Sequence, residues 1–293
     1  MPARGPALRG SALASAGAGT APRARGAALA LAALAAAWVA AQRATLAECV
    51  DAGLLGECDA LFDKRGRDGA LSRCLSKLQE LYKGNEDHAD LCFRIARAAY
   101  NLLNSKDPLD AELVGSADKK RRIAELAVAM ASEAREVAPD DFRSFYWIGI
   151  SIQAYGDAVG GTKYTLERLP EIRQSFERAS QLNPHDGTVM YCLGAWCYGL
   201  ADLGWVSRKL ASTLFATPPV SSFGEALEFF LRAEEVEPGF WSKNTLMIAR
   251  CYVKLGERAK AHEWARATAE RPCSTPEDHE VQKEALELAR RTA

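Results

Sequence analysis

Glu225 to Pro238 reads EALEFFLRAEEVEP, and the offsets inside it decide the fold. Ala226, Phe230, Ala233 and Pro238 are spaced by 4, 3 and 5 residues, and the same spacing recurs at Ala127, Ala131, Ala134 and Pro139 and at Ile172, Phe176, Ala179 and Pro184. Steps of four and three place the first three residues of each set on one face of a helix. Alanine on that face lets a neighbouring helix approach closely, and the proline ends the helix and sets the turn into the next unit. Three copies of one spacing point to stacked helix pairs of the tetratricopeptide kind.

Working outward, each of these helices is preceded by another with a large apolar residue followed by a small one. The pairs are Ile95–Ala96, Ile148–Gly149, Leu193–Gly194 and Ile248–Ala249. Ala261 lies twelve residues past Ala249, as in an undecorated unit, and Ala265 follows. A weaker unit over Gly53 to Tyr82 keeps the offset of twelve from Cys58 to Ala70 but has no closing proline. Successive closing prolines are 45 and 54 residues apart, so the units carry insertions at Asp157–Pro170 and Leu203–Ser222. A third insertion spans Ser105–Ser116. The expected fold is therefore all-α, a tetratricopeptide-like helical repeat superhelix with loop insertions. Its expected parts are a targeting or disordered segment at 1–47, a degenerate or capping helix pair at 48–87, and a repeat domain with a C-terminal helix at 88–293.

Residues 1–47 stand apart in composition, with Arg4, Arg9, Arg23, Arg25 and Arg43 and no acid. The apolar run Ala27–Ala41 is mostly alanine and shorter than the roughly 20 strongly apolar residues a spanning helix needs. A mitochondrial presequence, a secretory signal and an unstructured or weakly anchoring tail all remain open. The long lead before the apolar run and the absence of any Asn-x-Ser/Thr acceptor favour the first. Peripheral or anchored membrane association through this segment is one expectation. Setting its five arginines aside from 37 basic residues leaves 32 against 38 acidic ones, a net of −6. That balance lacks the broad basic field that phosphate neutralisation requires, so nucleic acid is not an expected partner. The eight cysteines form no Cys-x-x-Cys pair and read as buried reduced thiols.

No motif of catalytic chemistry stands up to inspection. Gly156-x4-Gly161-Thr162-Lys163 lacks the adjacent Gly-Lys of a phosphate-binding loop, and no strand signal precedes it. His88, His185, His262 and His279 show no metal-ligand spacing, and His185 after Pro184 reads as a helix cap. Gly149-Ile150-Ser151 falls within a helical pattern rather than on a nucleophile elbow. A protein without enzymatic activity, cofactor or metal is expected.

Trp196-Cys197-Tyr198, then RKLASTLFATPP at Arg208–Pro219 and EALEFFLRAEEVEPGFWSKN at Glu225–Asn244, carry a family resemblance. Together with Trp147, the tract Phe176–Pro184, Trp205 and Glu277-Asp278, they make residues 88–291 resemble the regulator of microtubule dynamics family. The resemblance implies a tetratricopeptide-like domain, association with microtubules and spindle poles, and a mitochondrial or cytoplasmic setting. Some members of that family sit at contacts between organelles. The leading expectation is a non-catalytic scaffold that associates with microtubules. The alternative is a membrane-contact or lipid-binding adaptor at mitochondria.

Two surfaces are candidates for a partner. Lys119, Lys120, Arg121 and Arg122 form a basic run at a helix start, where cations oppose the helix dipole and gain little locally. They suit the acidic tubulin surface, and the opposing reading is a solvated helix face. Counting from Gly149, Gly194 and Ala249 places Tyr146, Gln153, Tyr191, Tyr198, Lys243 and Arg250 on the first-helix side that lines the concave groove of such superhelices. A tyrosine-rich groove edged by Lys and Arg suits an acidic segment of another protein, with core packing as the opposing reading. The aromatic residues at 146, 147, 191, 196, 198 and 205 are otherwise expected mostly in the core.

Overall fold

Gly149 and Gly194 show how the spacing becomes structure. An added Cβ at Gly149 would lie 2.5 Å from the Phe176 ring, and one at Gly194 would lie 2.7 Å from Phe230. Each large residue of a second helix thus fills the gap left by a glycine of the first. Ala127, Ala131, Ala134, Ile172, Phe176, Ala179, Ala226, Phe230 and Ala233 are all fully buried. This computed structural model describes residues 52–293, which fall within the unit Leu46–Ala293. The expected segment 1–47 and Cys49 lie outside the described residues.

The described residues form helices without a strand. They run α1 (Ala52–Asp63), α2 (Ala70–Tyr82), α3 (Ala89–Leu103), the single turn α4 (Ala111–Val114), α5 (Ala117–Val137) and α6 (Phe142–Tyr155). After a π-helical turn at Gly156–Gly160 come α7 (Gly161–Leu182), α8 (Gly187–Ala201), α9 (Trp205–Leu214) and α10 (Phe223–Val236). The chain ends with α11 (Ser242–Leu255), α12 (Arg258–Ala269) and α13 (Pro276–Thr292). Antiparallel packing pairs α1 with α2, α3 with α5, α6 with α7, α8 with α10 and α11 with α12, and α13 closes the stack on α11 and α12.

Local chemistry fixes the helix ends. Ser116, Asp141, Asp186 and Ser222 each accept a backbone N–H at a helix start, and Thr275 and Asp278 form a reciprocal capping box. The cap of α8 is therefore Asp186, whose carboxylate has two acceptor oxygens, and His185 lies outside the helix. Gly256 ends α11 in the left-handed region at φ 80°. Side chains also tie consecutive units together past the prolines. Ser144 Oγ donates to Ala134 O at 3.0 Å and Ala138 O at 2.6 Å, and Asn244 Nδ2 donates to Phe230 O at 3.1 Å.

The insertions carry helix of their own. Residues after Asp157 lengthen α7 by several turns, with Pro170 inside it, and Leu203–Ser222 contains α9, which packs on α7. Six of the seven described cysteines are buried, all seven are free thiols, and burial raises Cys74 to about 12 and Cys197 to about 11. Trp147 and Trp196 are core residues as expected, but Trp205 is 73% exposed at the first position of α9. Its helix touches the body through Ala211 and its neighbours, on the opposite side.

Candidate interaction surface

The basic run sits on a protruding helix tip. Every residue from Ala117 to Arg122 is exposed, and the first buried residue of α5 is Ala124. At 1.5 Å per residue, roughly 9 Å of helix stands clear of the core. Lys119 Nζ donates to Glu112 O at 2.5 Å, while the side chains of Lys120, Arg121 and Arg122 meet no acid among the described residues. Four consecutive positions spread around the helix, so the tip presents positive charge on several sides, with Asp118 as the acid within it.

The first-helix candidates lie in a half-buried aromatic layer. Tyr146 meets Trp147 edge-on at 5.0 Å and Phe176 at 6.5 Å. Tyr191 packs against Phe230 at 5.5 Å and Trp241 at 4.5 Å, and Tyr198 stands edge-on to Phe223 at 5.2 Å. The structure brings Tyr146 and Tyr191 together with Tyr100 of α3, a residue the sequence reading did not single out. All three hydroxyls are raised above their ordinary pKa, first by burial and next by the nearby Cys192. Applying the same offsets to Ala96 that gave Tyr146 and Tyr198 yields Phe93 and Tyr100, so a signal was present.

Lys243 and Arg250 both pair with acids of α13. Lys243 Nζ pairs with Glu277 at 3.1 Å, and Arg250 Nε donates to Glu284 at 2.7 Å. Glu280, on the same helix, reaches Lys106 beyond α3 at 2.5 Å. The acidic segment expected from a partner is here supplied by the chain's own last helix. Gln153 lies instead in the wall of a cavity built by the insertions.

Two cavities flank the layer. The first, of about 460 Å³, gathers Arg94, Arg97 and Arg143 beside Phe93 and Tyr146. All three arginines are paired: Arg94 with Asp59 at 2.9 Å, Arg97 with Asp59 at 2.7 Å, and Arg143 with Asp90 at 2.9 Å and Asp141 at 2.6 Å. Burial acts to raise the Asp59 carboxyl, but hydrogen bonds from Arg94 and Arg97 outweigh it and hold the group below its ordinary value. These arginines recur on first helices without a fixed offset, which hid them from periodicity. The second cavity, of about 400 Å³, lies between the π-turn, the start of α7 and the end of α8.

With this geometry in view, comparison with known proteins is decisive. The family model described as "Regulator of microtubule dynamics protein 1-3" matches residues 54–293. The chain belongs to the regulator of microtubule dynamics family. It is 36% identical over 214 residues to regulator of microtubule dynamics protein 1 of Pongo abelii, covering 73% of this chain and 65% of that one. The Bos taurus protein of the same name is 36% identical over 238 residues, covering 81% of this chain and 70% of that one. The alignments thus leave about a third of each relative unmatched. A thermophilic TPR protein of Thermus thermophilus superposes with a TM-score of 0.50 at 12% identity, over 80% of this chain and 97% of that one. At that identity the likeness speaks to the fold, and it agrees with the helix pairs described above. Among the described residues no group of His, Cys, Asp and Glu could hold a metal ion, and no helix is long and apolar enough to cross a membrane.

Proposed function

We propose that this member of the regulator of microtubule dynamics family is a non-catalytic scaffold that associates with microtubules through the exposed tip of α5. The observation that carries this reading is that Lys120, Arg121 and Arg122 project from the core without an acidic partner among the described residues. The helix dipole gives them no local compensation. A domain with a net charge near −6 needs such a concentrated positive point to approach an acidic filament surface. The aromatic wall of Tyr146, Tyr191 and Tyr198 offers a separate surface for a protein partner. Residues 1–47 serve as a targeting or membrane-associating segment, 48–87 cap the stack, and 88–293 form the repeat domain. The setting is the cytoskeleton and spindle poles, with the mitochondrion as the address favoured by the N-terminal composition.

Co-sedimentation of the full chain with microtubules at increasing salt tests this reading. Binding should fall as ionic strength rises from 0.01 M to 0.15 M, because the Debye length shrinks from about 30 Å to about 8 Å. Sedimentation that is insensitive to salt would move the contact to the aromatic wall, and no sedimentation at low salt would remove direct binding.

A further inference from the structure

The second cavity differs from the first in how its charge is treated. Asp157 is its one charged lining residue, and it makes no hydrogen bond or ion pair among the described residues. It stands exposed at the mouth, where partial burial raises its carboxyl above the ordinary value. Behind it Leu166, Leu169, Leu203 and Trp196 form the apolar part of the wall, and Gln153, Thr162 and Thr165 add uncharged polar side chains. The indole N–H of Trp196 is already spent on Leu169 O at 3.1 Å, so that wall offers no donor of its own from the ring.

The site is held in shape from both sides. The π-turn brings Gly156 so close to α7 that an added Cβ would lie 2.0 Å from Thr165 Oγ1. Such turns are rare and recur at functional sites. On the other side Arg208 closes the end of α8, with Nε donating to Leu203 O at 2.7 Å and Nη2 to Ala201 O at 2.8 Å. That junction sets the start of α9, where Trp205 is 73% and Val206 72% exposed just beyond the cavity wall. The apolar surface therefore continues outside the cavity, over more area than a small free amine would cover.

A wall with an apolar strip, uncharged polar side chains and a single unpaired carboxylate at its mouth matches a long aliphatic stem ending in a positive point charge. Lysine has that form, with a four-carbon stem and a compact ammonium. We infer that this cavity receives a lysine side chain of a partner protein, its stem along Leu166, Leu169 and Leu203 and its ammonium on Asp157, with Trp205 and Val206 covering the partner's flanking apolar residues. The inference is independent of the tip of α5 and stands if microtubule binding fails.

The test follows amide shifts of Gly161, Thr162 and Gly199 in the full chain as probes are added. One probe is a short peptide with a single lysine flanked by leucines, a second has norleucine in place of that lysine, and a third is n-pentylammonium. The lysine peptide should bind roughly tenfold more tightly than the norleucine peptide, as a charge-assisted contact requires. Asp157→Asn should bring the two peptides to parity, and because Asp157 is exposed and unpaired the variant should fold normally. Trp205→Ser should weaken both peptides and leave n-pentylammonium unchanged. Equal binding of the two peptides, or an unaltered preference in Asp157→Asn, would overturn the site. Binding of n-pentylammonium as tight as the lysine peptide would overturn the assignment to a protein partner.

Discussion

The crossings at Gly149–Phe176 and Gly194–Phe230 and the insertions at Asp157–Pro170 and Leu203–Ser222 are neighbours in the chain built on opposite logic. At the crossings a ring fills the place of a missing Cβ, and the first three residues of each repeating set are fully buried. In the insertions one finds an exposed tryptophan, an unpaired carboxylate and a cavity. Packing at the crossings leaves no freedom for anything but helix contact. The insertions spend residues on surface that the fold does not need, which is where binding chemistry can reside.

The largest expected effect comes from emptying a crossing. Phe230→Ala should cost about 3 to 5 kcal/mol, because the ring is fully buried against Gly194 and Tyr191 and the rigid helices cannot collapse into the gap. Chemical denaturation measures it, and a loss below about 1 kcal/mol would mean that the crossing is not a core contact.

A smaller, pH-dependent effect is expected at the N-terminal end of the stack. The Asp59 carboxyl is held below its ordinary value by Arg94 and Arg97, so its contribution is present above the unfolded pKa and is lost as pH falls through the folded one. Asp59→Asn should lower the melting temperature at neutral pH and flatten its decline below about pH 4, near the unfolded carboxyl value. An acid limb unchanged by the substitution would show that Asp59 does not hold α1 to α3.

The smallest effect belongs to the insertions. Trp205→Ser should shift stability by no more than about 0.5 kcal/mol, since the side chain touches little of the fold. A large loss would erase the contrast with Phe230.

The same contrast explains what could be read from the sequence. Ala226, Phe230 and Ala233 were legible because helix contact imposes a period on residue size. The tyrosines at 146, 191 and 198 followed from counting along the same period, and Tyr100 would have followed from Ala96. Asp59 with Arg94 and Arg97 was not legible, because charge pairing between helices sets no spacing along either one. The pairing of Lys243 and Arg250 with Glu277 and Glu284 was hidden for a related reason: it depends on where the last helix docks. Trp205 was expected in the core with its fellow tryptophans. Its helix belongs to an insertion, outside the period that justified the expectation.

The tip of α5, proposed above as the microtubule contact, carries its charges beyond the buried turns of that helix. Replacing Lys119, Lys120, Arg121 and Arg122 together with glutamate, and measuring both microtubule co-sedimentation and melting temperature, tests the central claim. The account predicts a strong loss of sedimentation with a melting temperature nearly unmoved, because exposed charges contribute little to folding. Undiminished sedimentation of the reversed protein would contradict it.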